Sequence, residues 1–287
     1  MLVDAVLIHH GKRRVVVGIT ADDRQVGLSA GIATFDEQRD EIGAGPIANR
    51  VHLVELTIVL VIVALLLGGL TTAFMVQQDN ASIKETRQTL ATINEALLGF
   101  AVANGRLPRP AQSGTNGLEA TVNCATTTAC TGFIPWQTLG VAKSDAWGKL
   151  IRYSVTPAFS NSTPFTLTSI ARFKVYSRDS AGNPVYLVGS SASNCDAATN
   201  LCAPAIVFSS GKSNHGWLDD GTEIVDGSAS NADEEANAGP VADASDQMSF
   251  VSRSFSTGGT GGEFDDILVW VPVTVLFNRM IAAGKLP

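Results

Sequence analysis

Hydrophobic positions along the chain change their rhythm twice. From Leu56 to Val76 there is no ionisable side chain, and at ~1.5 Å rise per residue such a run spans a hydrocarbon core of roughly 30 Å. The run starts beside a single carboxylate, Glu55. Beyond Met75 the apolar residues thin to Ile83, Thr86, Leu90, Ile93, Leu97 and Phe100. Their alternating spacings of three and four line one face of an amphipathic helix. Gly105 offers a C-cap, and Pro108 and Pro110 prevent continuation. The pattern therefore predicts one long helix with a membrane half, residues 51–76, and an amphipathic half, residues 77–105. Gly68-Gly69 would soften it or allow close helix packing.

After Pro110 the rhythm becomes that of short strands. Leu150–Val155 and Phe165–Ile170 alternate, Phe173–Tyr176 starts a third run, and Val185–Val188, Ala205–Ser209 and Ile267–Val271 add further candidates. The expected fold class is α+β, with the long helix packed on an antiparallel sheet in a domain over residues 106–287. An acidic stretch rich in Gly, Ser, Ala and Asn, at about 219–263, reads as a long surface loop. Residues 1–50 show neither helical nor strand periodicity and read as a poorly ordered leader or extension.

Charge narrows the function classes. The net charge is -7, and the one basic cluster is Lys12-Arg13-Arg14, so nucleic acid is not an expected partner. Arg39 and Arg50 precede the apolar run while Asp79 is the first charge after it, a bias that favours an exported carboxy-terminal domain. The four cysteines fall as two close pairs, Cys124 with Cys130 and Cys195 with Cys202. Local disulfides in an oxidising periplasm are the simplest reading; zinc is the alternative, although its cysteine pairs usually stand closer together.

The segment Leu53-Val54-Glu55-Leu56-Thr57-Ile58-Val59 resembles the amino-terminal motif of type IV pilins and type II secretion pseudopilins. Asn104-Gly105-Arg106-Leu107-Pro108, Ile134-Pro135-Trp136-Gln137-Thr138-Leu139-Gly140 and Asp145-Ala146-Trp147-Gly148 are similar to later pseudopilin elements, as are Phe264–Trp270 and Leu276–Met280. The resemblance covers roughly residues 51–287. It implies a type IV pilin-like fold and a processing cut between Arg50 and Val51. There the chain departs from the family, with Arg50 where Gly is expected, Val51 where Phe is usual and His52 where Thr is common. It further implies that Glu55 pairs with a neighbouring subunit's amino terminus, and that Asp265 and Asp266 are candidate calcium ligands in a carboxy-terminal loop.

The expected function is accordingly non-enzymatic: a minor structural subunit of a type IV pilus or type II secretion pseudopilus. Such a subunit is held single-pass in the inner membrane with its domain in the periplasm, before assembly into a filament in the periplasm or at the cell surface. Its implied partners are other pilin or pseudopilin subunits, a prepilin peptidase, an inner-membrane assembly platform and membrane lipid; calcium is the one cofactor implied. The alternatives are a signal-anchored periplasmic enzyme or ligand-binding protein, and an unprocessed relative that does not assemble. Catalytic motifs are weak. Gly211-Lys212-Ser213 lacks the earlier Gly of a phosphate loop, since Ile206 stands there. His215 has no nucleophile elbow to serve. Asp219-Asp220 and Asp233-Glu234-Glu235 read as solvated charge.

Overall fold

The computed structural model describes the backbone of residues 2–10, 13–22, 25–29, 48–161, 164–190, 195–196, 202–213, 215–226 and 230–287, and within these the side chains of residues 54–64 and from 76 onward. The chain divides into two compact units, Met1–Leu67 and Gly68–Pro287. In the first, β1 (Leu2–His10), β2 (Arg13–Asp22) and β3 (Gln25–Ser29) form an antiparallel sheet in the order β1-β2-β3. These strands lie within the leader or extension expected over residues 1–50. The Val and Ile residues of these runs favour a pleated surface.

Helix α1 (Ala48–Asn104) begins in the first unit and ends in the second. Its last turn closes at Gly105, whose φ of 75° lets its N–H reach the Ala101 carbonyl at 2.8 Å. Beyond it follow β4 (Thr131–Phe133), α2 (Trp136–Leu139), β5 (Arg152–Val155), α3 (Pro157–Ser160), β6 (Phe173–Arg178), β7 (Pro184–Val188), β8 (Ala205–Ser209), β9 (Gly216–Trp217) and β10 (Glu223–Ile224). The chain then forms α4 (Ala232–Ala238), β11 (Met248–Val251), β12 (Ser256–Thr257), β13 (Glu263–Phe264), β14 (Ile267–Val271) and α5 (Val273–Ala282).

Among the described residues, four small sheets organise this second unit. The largest is antiparallel with order β14-β8-β5-β4; another, β11-β6-β7, pairs β11 with β6 in parallel; β9-β10 and β12-β13 are two-stranded. Strand β8 shows how they layer. All five of its residues are buried, and their alternation sends Ala205 and Val207 into one core and Ile206 and Phe208 into another. The first core packs Leu90, Ile93, Leu97 and Ala101 of α1 with Leu276 and Met280 of α5. The second packs β8 against Phe173 and Val175 of β6 and Met248 and Phe250 of β11.

The expected fold, a long helix packed on one antiparallel sheet in the type IV pilin manner, is thereby corrected. The architecture is mixed α/β with several small sheets and a parallel pair, and among the described side chains of α1 only those in the short stretch Thr86–Ala101 are buried. Among the described residues no helix is long and apolar enough to cross a membrane; of the expected membrane half, side chains 65–75 lie outside those described.

Two local expectations also change. Phe165–Ile170 is a turn, because Thr166 and Ser169 hydrogen-bond to one another instead of to a ladder: the Thr166 N–H donates to Ser169 Oγ at 3.0 Å. The supposed surface loop at 219–263 contains β10, α4, β11, β12 and the start of β13, and it buries Asn231, Asp233, Glu234 and Asn237. Its charges are paired inside the fold. Asp233 accepts from Arg178 Nε at 2.8 Å and lies 2.7 Å from Arg253 Nε, which meets it without hydrogen-bond geometry.

Candidate cation site

The strongest gathering of chemistry is built from this folded acidic segment and the β13–β14 junction. Glu234 on α4, with Asp265 and Asp266 between β13 and β14, place one carboxylate oxygen each within 4.8 Å of one another. Three carboxylates at this range repel unless protons, donors or a cation intervene. The fold supplies several donors. Asn231 Nδ2 donates to Glu234 Oε2 at 3.0 Å, and the Asp265 N–H donates to Glu234 Oε1 at 2.8 Å. The N–H groups of Lys212 and Ser213 reach Asp265 Oδ2 at 3.0 and 2.7 Å. Asn237 Nδ2 reaches Asp266 Oδ2 at 2.8 Å. Asp265 Oδ1 is enclosed and accepts no hydrogen bond.

Glycine is required where the loop crosses Asp265. Gly211 has a φ of 59°, and a Cβ there would lie 2.1 Å from Asp265 Oδ1. The Gly211-Lys212-Ser213 segment thus turns its amides on a carboxylate of the chain itself, the anion-cradling role that made it resemble a phosphate loop.

Burial dominates the electrostatics. It raises Asp266 well above the ordinary carboxylate range, with Glu234 and Asp265 adding repulsion, and it raises Asp265 more modestly. Lys149 is a buried cation coupled to this group, lowered by its own burial although Asp265, Asp145 and Asp266 favour its charge. Its ammonium is held by three carbonyls, those of Ser213 and His215 at 2.8 Å and Ser210 at 3.3 Å. One ammonium faces three carboxylates, so the ensemble favours uptake of positive charge. Carboxylate oxygens are the ligand type that calcium accepts.

A cavity of about 450 Å³ opens beside this group, lined by Asp265, Asp266, Ser213 and Lys212, by Val76, Asp79, Ile83 and Arg87 of α1, and by Trp147 and Phe255. Lys212 Nζ ties the loop to α1 through both Asp79 oxygens at 2.9 Å. The turn before β5 is fixed by Asp145, which accepts the N–H groups of Trp147 and Lys149 at 2.9 Å and the Ser209 hydroxyl at 2.6 Å. That turn meets α1 where the Ala146 N–H donates to Thr86 Oγ1 at 3.2 Å.

The residues singled out from sequence are distributed unevenly about this site. Asp265 and Asp266 come together, and with them Glu234, which the sequence placed among solvated charges; Asn237 and Lys149 were not foreseen as parts of the group. The signal for Asn237 lay in its position three residues after Glu234 on one helical face. Cys124–Cys130 and Cys195–Cys202 are disulfide-bonded, with Cα–Cα distances of 5.2 and 5.8 Å, and neither pair is left for zinc. These bonds accord with an oxidising, extracytoplasmic environment. The His215 side chain sits against Trp217, with Glu223 at 3.4 Å from its Nε2. Glu55 is exposed on α1, while the side chains of Arg50 and Val51 lie outside those described. No known protein family, no curated protein and no solved structure matches the chain.

Proposed function

We propose that the protein is a structural subunit of an extracytoplasmic filament of the type IV pilus or secretion pseudopilus kind, non-enzymatic and held at the inner membrane before assembly. One observation carries the reading. On α1, Val54, Leu56 and every residue from Ile58 to Val63 are apolar and 43–61% exposed, whereas Thr86, Leu90, Ile93 and Leu97 of the same helix are buried. A contiguous exposed apolar surface is costly in water, at roughly 25 cal/mol per Å², and marks a surface that something else covers. Lipid before assembly and the equivalent helices of neighbouring subunits afterwards would cover it. The Leu53–Val59 motif and the disulfide-bonded domain support the same reading.

In this proposal Glu55 sets the axial register by pairing with a neighbouring subunit's amino terminus, and the cut falls between Arg50 and Val51. Glu55→Ala should leave membrane insertion intact while abolishing filament assembly, measured by shearing and by crosslinking from cysteines placed beside position 55. Assembly of Glu55→Ala at the parental level would refute the role of the carboxylate. Mass spectrometry of the mature amino terminus tests processing: a chain starting at Val51 supports it, and a retained leader refutes it.

A further inference from the structure

The β9–β10 hairpin is fastened to the rest of the fold around one histidine. His215 precedes β9, and its side chain is 17% exposed, set edge-on to Trp217 with ring centroids 4.9 Å apart. Its Nε2 faces Glu223 Oε1 of β10 at 3.4 Å, whereas Nδ1 is enclosed and makes no hydrogen bond. Trp217 carries the contact on to β5. Its carbonyl accepts the Leu150 N–H at 2.8 Å, and the Arg152 guanidinium lies over its ring at 4.0 Å and over that of Phe133 at 4.9 Å. Arg152 Nε is likewise enclosed without a hydrogen bond. The backbone is committed as well, since the carbonyls of Ser213 and His215 each hold the Lys149 ammonium at 2.8 Å.

We propose that His215 is an acid-sensitive latch, which holds the β9–β10 hairpin against β5 while its imidazole is neutral and releases it when the ring takes up a proton. The neutral ring carries one N–H, directed from Nε2 toward Glu223, and leaves Nδ1 bare; the imidazolium carries two. Protonation therefore puts a donor at the enclosed Nδ1, where among the described residues no acceptor stands, and sets a further cation beside Arg152 and Lys149. Burial holds His215 below the ordinary histidine range; of the charges that face it, Glu223 and Asp226 favour the imidazolium, and Arg152 and Lys149 oppose it. Its contribution to closure is thus fully present above the ordinary histidine pKa and is lost as pH falls from there toward the folded value. Release frees Lys149 from two of its three carbonyls and uncovers the Arg152 guanidinium, so acid turns a covered part of the fold into a cationic surface. This inference does not depend on filament assembly.

The test is hydrogen exchange, read by mass spectrometry on the full-length chain in non-ionic detergent, at two pH values about one unit either side of the ordinary histidine pKa of about 6.5, with rates corrected for the intrinsic effect of pH. Peptides covering residues 143–155 and 215–226 should lose protection at the lower pH by about fivefold to a hundredfold, the weight of one stranded buried donor. A peptide spanning β11 should keep its protection. His215→Gln, which retains an N–H for Glu223 and does not titrate, should abolish the acid loss in the two hairpin-facing peptides, and so should His215→Phe, which retains a ring against Trp217. These variants also separate His215 from the buried carboxylates, whose titration they leave in place. Equal protection of the parental chain at both pH values, tighter protection at the lower one, an undiminished loss in folded His215→Gln and His215→Phe, or a loss shared equally by β11 would each overturn the proposal.

Discussion

Asn237 holds three parts of the acidic segment together, and its removal tests whether that segment is folded as described. The side chain is fully buried. Its Nδ2 donates to the Val251 carbonyl at 3.0 Å and to Asp266 Oδ2 at 2.8 Å, and its Oδ1 accepts the Val251 N–H at 2.7 Å. Asn237→Ala deletes all three bonds and strands a buried N–H and a buried carboxyl oxygen. The three bonds, at about 1 kcal/mol net each, set the expected loss at about 3 kcal/mol or more. A domain of this kind is stable by about 5–15 kcal/mol, so the variant should remain folded but unfold at markedly lower urea. Urea denaturation followed by far-UV circular dichroism reads this as a lowered midpoint with an unchanged slope. A midpoint shift worth less than about 1 kcal/mol would refute the account, because a residue on a mobile surface loop loses little when truncated.

Other perturbations test separate links. Asp266 is raised in the folded state, so its contribution to stability is fully present below the ordinary carboxylate pKa and is lost as pH rises toward its folded value; urea midpoints across pH 4–8 should fall more steeply for the parental chain than for Asp266→Asn, and parallel profiles would contradict the burial. Gly211→Ala should destabilise the chain, since it combines a left-handed φ with a Cβ 2.1 Å from Asp265 Oδ1; a thermal midpoint equal to the parent's would contradict the close approach. Replacing Cys124 and Cys130 together with Ser should cost about 2 kcal/mol, the loop-entropy value for so short a ring, read from urea midpoints under non-reducing conditions. Leu97→Ala should cost about 2–5 kcal/mol through a core cavity, whereas Leu60→Ala, at a 61% exposed position, should leave the domain's unfolding midpoint unchanged.

Local chemistry made much of this protein legible from its residues. The stop of α1 at Gly105 follows from proline and glycine geometry, the buried face around Leu90, Ile93 and Leu97 from helical period, and the two disulfides from proximity along the chain. Strands β5, β6, β7, β8 and β14 follow from alternation or from continuous apolar runs. Periodicity reports which face is buried and is silent on which strand lies beside which, so neither the parallel β11–β6 pair nor the division into several small sheets could be read from it. Composition misjudged residues 219–263 for a related reason. Charges look solvated in sequence because their partners are distant: Arg178 stands 55 residues from Asp233, and the Asp265 N–H that donates to Glu234 stands 31 residues from it. The sequence by itself determined where α1 stops, the oxidised cysteine pairs and the acidity near Asp265. Only the tertiary structure decided that Glu234, Asp265 and Asp266 share one enclosed place beneath a cavity, because burial and the meeting of distant charges are properties of the packed chain.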